Sequence, residues 1–154
     1  MTTLKVNDKA PNFVGLDQQG KTIQTADFAG KKYAVYFYPK DNTPGCTVQA
    51  CNLRDNYDAL STAGISIIGV SMDTEVSHLK FISKFELPFP LIADTDKKVI
   101  ETFQVWGPKK FMGKDYDGIH RTTFVMDENN VIQGIISKPK TKEHASEILE
   151  IFNN

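Results

Sequence analysis

The chain has 154 residues, enough for a single domain, residues 1–154, with a core of its own. Hydrophobic residues make up 40% and charged residues 24%, the ordinary balance of a soluble globular protein. The net charge of −1 gives no general attraction to nucleic acid or acidic membrane, and no apolar run reaches the length of a transmembrane helix.

Met1 to Asp8 carry no apolar signal core, so the expected location is the cytoplasm. Residues 1–12 read as an extended lead-in ending at Ala10-Pro11. Phe13–Leu16 and Lys21–Gln24, on either side of a Gln18-Gln-Gly20 turn, read as a hairpin. Asp27-Phe-Ala-Gly30 turns the chain into Tyr33–Tyr38, an aromatic and β-branched run that reads as a buried strand closed by Pro39. A helix start follows, with Thr43 as N-cap and Pro44 as first helical residue. Its apolar stripe, Cys46, Ala50, Leu53, Tyr57 and Leu60, faces a core, and Ala63-Gly64 stops it.

Ile65–Ser71 is a second buried strand. Glu75–Phe85 is a helix with Val76, Leu79, Ile82 and Phe85 at helical spacing, and Leu87–Ile92 supplies an extended segment. Lys97–Phe103 is a shorter helix. Trp106 to His120, with three glycines and three lysines, reads as an exposed loop. His120–Met126 and Val131–Ser137 are strands joined at Asp127-Glu-Asn-Asn130. Glu143–Phe152 is a closing helix with Ile148, Leu149 and Phe152 turned inward. The order of elements predicts an α/β fold: a central mixed sheet flanked by helices, part parallel and part antiparallel, with an N-terminal hairpin.

The only two cysteines, Cys46 and Cys51, lie in this first helix. In the cytoplasm such a pair points to redox chemistry rather than a structural staple, and the three scattered histidines do not complete a zinc site. Cys46 falls in the first turn, where unpaired N–H groups and the positive end of the helix dipole favour a thiolate. That makes it a candidate nucleophile, although a cysteine at a helix start can equally be a small packing residue. Five residues on, Cys51 points about 140° away, with its Cα about 8.6 Å from that of Cys46. A disulfide needs no more than about 7 Å. The two either never bond or bond only when the helix start melts.

Pro39-x-x-x-Thr43-x-x-Cys46 resembles the active-site motif of peroxiredoxins. The fuller string Thr43-Pro-Gly-Cys-Thr-x-x-Ala-Cys51 is similar to that of the bacterioferritin-comigratory-protein or PrxQ subfamily. Ala10-Pro11-Asn12-Phe13 resembles the family's early string, with Asn in place of Asp. Gly107, Gly113-Lys114, Tyr116, Gly118-Ile119 and Arg121-x-Thr-Phe extend the match. The resemblance implies a thioredoxin-like fold and a thiol-specific peroxidase acting in antioxidant defence on hydrogen peroxide and organic hydroperoxides. Cys46 would attack the peroxide and become a sulfenic acid, and Cys51 would resolve it as an intramolecular disulfide. Thioredoxin, or a similar dithiol protein such as glutaredoxin, would reset the pair.

On the same resemblance Arg121 favours the thiolate and polarises the peroxide, where composition alone allows a surface ion pair. Thr43 places its hydroxyl on the peroxide as well as capping the helix, and Pro39 closes the pocket. Gln49 departs from the glutamate frequent in the wider family. His78, His120 and His144 have no acid–base partner visible in the sequence. No metal, haem or flavin is implied, and a monomer or weak dimer is the default. Two alternatives stand beside this reading. One is a thiol–disulfide oxidoreductase of the same fold, which four residues between the cysteines disfavour. The other is a redox-sensing module or holdase.

Overall fold

The computed structural model describes residues 2–153. A small hairpin pairs β1 (Val14–Leu16) with β2 (Thr22–Gln24). The central sheet has five strands: β3 (Lys32–Phe37), β4 (Ile65–Ser71), β5 (Leu91–Ala93), β8 (Thr122–Met126) and β9 (Ile132–Ile136), in the order β5-β4-β3-β8-β9. β3, β4 and β5 run parallel, while β8 and β9 join antiparallel. The sheet is mixed and flanked by helices, as the element order predicted.

Alternation along β3 divides the core. Tyr33, Val35 and Phe37 join the apolar cluster that includes Phe13, Val99, Ile100 and Phe103. Ala34, Tyr36 and Tyr38 join the opposite cluster with Ala50, Leu53, Leu60, Phe81 and Ile148. A strand buried on both faces must be apolar throughout, which explains the unbroken run in the sequence. The helices on the second face are α1 (Pro44–Asp55), α2 (Tyr57–Thr62), α3 (Glu75–Phe85) and α5 (His144–Phe152), while α4 (Lys98–Thr102) lies on the first.

Three details depart from the sequence reading. The helix carrying both cysteines breaks at Asn56, so α1 and α2 are separate. Asn56 Nδ2 donates to Asn52 O at 2.8 Å, the competition of a short amide side chain with the helix ladder. α3 has the expected bounds, and Ile82 and Phe85 of its apolar stripe pack against the core, but the other half of the stripe does not. Val76 and Leu79 are 61% and 45% exposed, while His78 and Phe81 are buried. Trp106–His120 is no irregular loop: β6 (Trp106–Phe111) and β7 (Lys114–Ile119) form a hairpin. Its turn residues Met112 and Gly113 both take positive φ, 52° and 79°, the geometry that suits a two-residue hairpin turn.

Packing beneath α1 leaves no room at Gly69 of β4. A Cβ there would lie 2.6 Å from Leu91 Cδ2 and 2.9 Å from Tyr36 Cζ, and both side chains are fully buried. Gly69→Ala is therefore expected to lower the unfolding free energy in urea by about 1–3 kcal/mol, the usual cost of overpacking. An unchanged midpoint would show that Tyr36 can move aside freely.

Among the described residues, no helix is long and apolar enough to cross a membrane.

Candidate active site

Strand register assembles the site. β8 runs antiparallel to β3, and Phe37, the last residue of β3, pairs with Thr122, the first of β8. Arg121 therefore falls beside the end of β3, where the connection through Pro39 to Thr43 leads into α1. Residues 75 positions apart in the chain meet there: Arg121 Nη2 donates to Cys46 Sγ at 3.2 Å. The other arm of the guanidinium, Nη1, donates to Gln49 Oε1 at 2.6 Å. Cys46 and Gln49 are three residues apart on one helix face, so a single planar fork spans both.

Cys46 is the third residue of α1 and only 2% exposed. Its sulfur faces a fixed positive charge at a helix N-terminus, an arrangement that stabilises negative charge at that atom. Gly45 lies beside the guanidinium: a Cβ there would sit in ordinary contact, 3.4 Å from Nη2.

Thr43 has the extended backbone of an N-cap, but its side chain makes no cap hydrogen bond. The hydroxyl donates instead to Lys40 O at 3.0 Å. This corrects the expected side-chain cap, and it has two chemical consequences. The first-turn amides are not used up by Thr43, and the threonine oxygen keeps its lone pairs to accept a proton donor from a ligand. Pro39 is half-buried in the same connection. Cys51 is half-buried in α1, and both cysteines are free thiols.

Gln49, Tyr36 and Lys109 lie around the sulfur and the guanidinium. Gln49 is fully buried, and its Nε2 has no hydrogen-bond partner among the described residues; nor has the buried hydroxyl of Tyr36. Burial, with the charge at Cys46 adding to it, pushes the Tyr36 phenol well above its ordinary value, so it stays a neutral donor. Lys109 reaches in from β6, its Nζ donating to Ile119 O at 2.9 Å. Burial first, and then the neighbouring Arg121, hold its ammonium below the usual lysine value, with Cys46 pulling the other way.

The connection into α1 is pinned by a network invisible in the sequence. Asp41 is buried and accepts from Tyr38 Oη at 2.5 Å and from Ser77 Oγ at 2.8 Å. His78 Nδ1 lies 2.7 Å from Asp41 Oδ2, the oxygen that also accepts from Ser77, and Nε2 lies 2.9 Å from Ile92 O. A ring nitrogen facing a carbonyl must carry hydrogen, so one further proton is held between Nδ1 and the carboxylate. The Asp41 backbone N–H donates to Asp73 Oδ2 at 2.8 Å, which also accepts from Ser71 Oγ at 2.6 Å. His78 thus has an acid–base partner, 37 residues away, contrary to the sequence reading. This pairing also turns α3 so that His78 faces inward. Ligand atoms of Asp41, Asp73 and His78 lie within 4.8 Å of one another, but protein hydrogen bonds already engage them.

His144, buried in α5, contacts Thr123 Oγ1 at 2.8 Å and Glu147 Oε1 at 3.0 Å. His120, half-buried, holds Pro108 O at 2.9 Å. Neither contacts Cys46. The structure thus brings Cys46, Arg121 and Gln49 into contact and leaves Cys51 one helical turn and a half away. Gln49 was the member the sequence undervalued. Its three-residue spacing from Cys46 was the available signal.

The AhpC/TSA family profile matches residues 6–135. Peroxiredoxin Bcp of Escherichia coli is 47% identical over 149 residues, 97% of this chain and 96% of the relative. Peroxiredoxin Bcp of Bacillus subtilis is 41% identical over 152 residues, 99% of this chain and 97% of the relative. The solved structure of Xanthomonas campestris peroxiredoxin Q superposes with a TM-score of 0.87 at 30% identity, covering 99% of this chain and 96% of that one.

Proposed function

Because the chain belongs to the AhpC/TSA family and is a thiol peroxidase of the Bcp/PrxQ kind with a thioredoxin-like fold, we propose that Cys46 is the atom that strikes peroxide and Cys51 the one that rescues it. The observation that carries this reading is the 3.2 Å contact from Arg121 Nη2 to a nearly buried Cys46 sulfur at a helix start. The Cys46 thiolate attacks the terminal oxygen of a hydroperoxide. An S–O bond forms as the O–O bond breaks, the electron pair leaves on the departing oxygen, and the hydroperoxide proton passes to it. Water or an alcohol departs and a sulfenate remains.

Arg121 and the first-turn amides meet the charge that develops on oxygen. Thr43, its own hydrogen committed to Lys40 O, accepts from the protonated peroxide oxygen. Pro39 shields the sulfur from bulk water.

The intact helix holds the two thiols apart, so the start of α1 uncoils before Cys51 can attack. The Cys51 thiol and the sulfenic acid then condense to a disulfide and water. A dithiol protein of the thioredoxin type reduces that disulfide by exchange. Such a cycle suits a reducing cytoplasmic setting and needs no more than a monomer or weak dimer. The residues present require no metal or organic cofactor for any step.

Cys51→Ser tests the second half of the cycle. After one equivalent of hydrogen peroxide, rapid-quench mass spectrometry of the native protein is expected to find both thiols lost to one disulfide. The variant should instead accumulate Cys46 sulfenate, with thioredoxin-coupled turnover down by at least about tenfold. Undiminished turnover would take Cys51 out of the mechanism.

A further inference from the structure

α1 is not uniform along its length. Its buried residues are Cys46, Gln49, Ala50 and Leu53. Peeling the helix from its start exposes only two small side chains and one amide that is half satisfied. The next residue inward, Leu53, is fully buried among large apolar neighbours. The resistance to uncoiling therefore rises steeply just past Cys51.

Asn52 stands at that step. Its Nδ2 donates to Lys142 O at 2.8 Å, and its Oδ1 accepts from Ala145 N at 2.9 Å. Ala145 is in the first turn of α5, so its N–H is one of the donors without an intrahelical partner. One side-chain amide thus ties α1 to the segment that opens α5. On the other side, Asp41 is tied to Tyr38, Ser77, His78 and Asp73. Both cysteines lie between these two fixed points.

We infer that Asn52 is a positioning residue for disulfide formation: the clasp at which uncoiling of α1 stops, holding residue 52 onward against α5 while residues 43–51 are released. This rests on the proposed cycle, in which the helix start must open. It adds where the opening ends and which side chain ends it. The core facing Leu53 then stays closed in the oxidised protein, and the reductant meets a loosened segment rather than an unfolded helix.

Amide hydrogen exchange of the full chain, reduced and oxidised, tests this. In the oxidised native protein, protection should be lost up to residue 55, since amides 53–55 bond carbonyls of the released segment, and kept from residue 56, whose N–H bonds Asn52 O, onward. In oxidised Asn52→Ala, exchange at 56–60 should rise by about tenfold, as expected for loss of two hydrogen bonds that gate local opening, with less than about twofold change in the reduced form. Asn52→Asp keeps an acceptor for Ala145 N and should move exchange at 56–60 by less than alanine does.

The clasp is overturned if the oxidised native protein loses protection at 56–60. It is also overturned if Asn52→Ala keeps the native boundary, or if it loosens 56–60 equally in both redox forms, as a merely structural residue would. An aspartate variant at least as loose as alanine counts against it as well. If the disulfide forms while 43–51 stays protected, the uncoiling step itself is wrong and the clasp falls with it. The native-protein measurement decides even if a variant fails to fold.

Discussion

Cys46→Ser is expected to leave a folded protein with no peroxidase turnover. Serine fills nearly the same space at a position that is 2% exposed, so circular dichroism and the thermal midpoint should stay close to native. The chemistry cannot survive the exchange. An alcohol is barely ionised at neutral pH and is a poor nucleophile toward oxygen, and nothing at the site abstracts its proton. Hydroperoxide consumption in a thioredoxin-coupled NADPH assay should fall by at least about a thousandfold, the scale of losing a catalytic nucleophile. Persistence of more than a few per cent of native turnover would remove Cys46 from the reaction.

Arg121→Met carries the second large effect, and it separates charge from packing. Methionine keeps much of the aliphatic stem but loses both donated bonds, to Cys46 Sγ and to Gln49 Oε1. The rate constant for reaction with hydrogen peroxide, followed by stopped flow, should fall about a hundredfold, or about 3 kcal/mol of transition-state stabilisation. Stability should fall by about 1–3 kcal/mol, because Gln49, whose Nε2 is already without a partner, would then be buried with both ends of its amide unmet. Arg121→Lys restores a charge without the two-armed geometry, so it should recover only part of either loss. A peroxide rate within threefold of native in Arg121→Met would show that the guanidinium is not at work on the sulfur.

The parts of this protein legible from sequence were those written locally. Lys32–Phe37 and Ile65–Ser71 are buried on both faces, so their composition marks them as strands without reference to anything else. The stretch from Pro39 to Cys51 carries its own helix signals, and Pro44 does open α1.

What needed coordinates was contact over distance. Arg121 became a candidate through family resemblance, because no local pattern says that a strand 75 residues on will start beside Cys46. His78 lacked a partner in the sequence because Asp41 lies in a different connection. The apolar spacing of Glu75–Phe85 predicted the helix but misjudged half of its buried face, since that pairing, rather than Val76 and Leu79, chose which side turned inward. Thr43 shows the limit of capping rules: the backbone obeys them while the hydroxyl turns to Lys40 O.

The pairing of Phe37 with Thr122 has a consequence for biosynthesis. Side chains alternate along a strand, so a slip of one residue would send the guanidinium to the opposite side of the sheet. A ribosome-bound fragment ending before residue 121 carries both thiols but not Arg121. If Arg121 acts as proposed, peroxide-destroying power arrives late in translation, only once the far half of the polypeptide has docked in correct alignment.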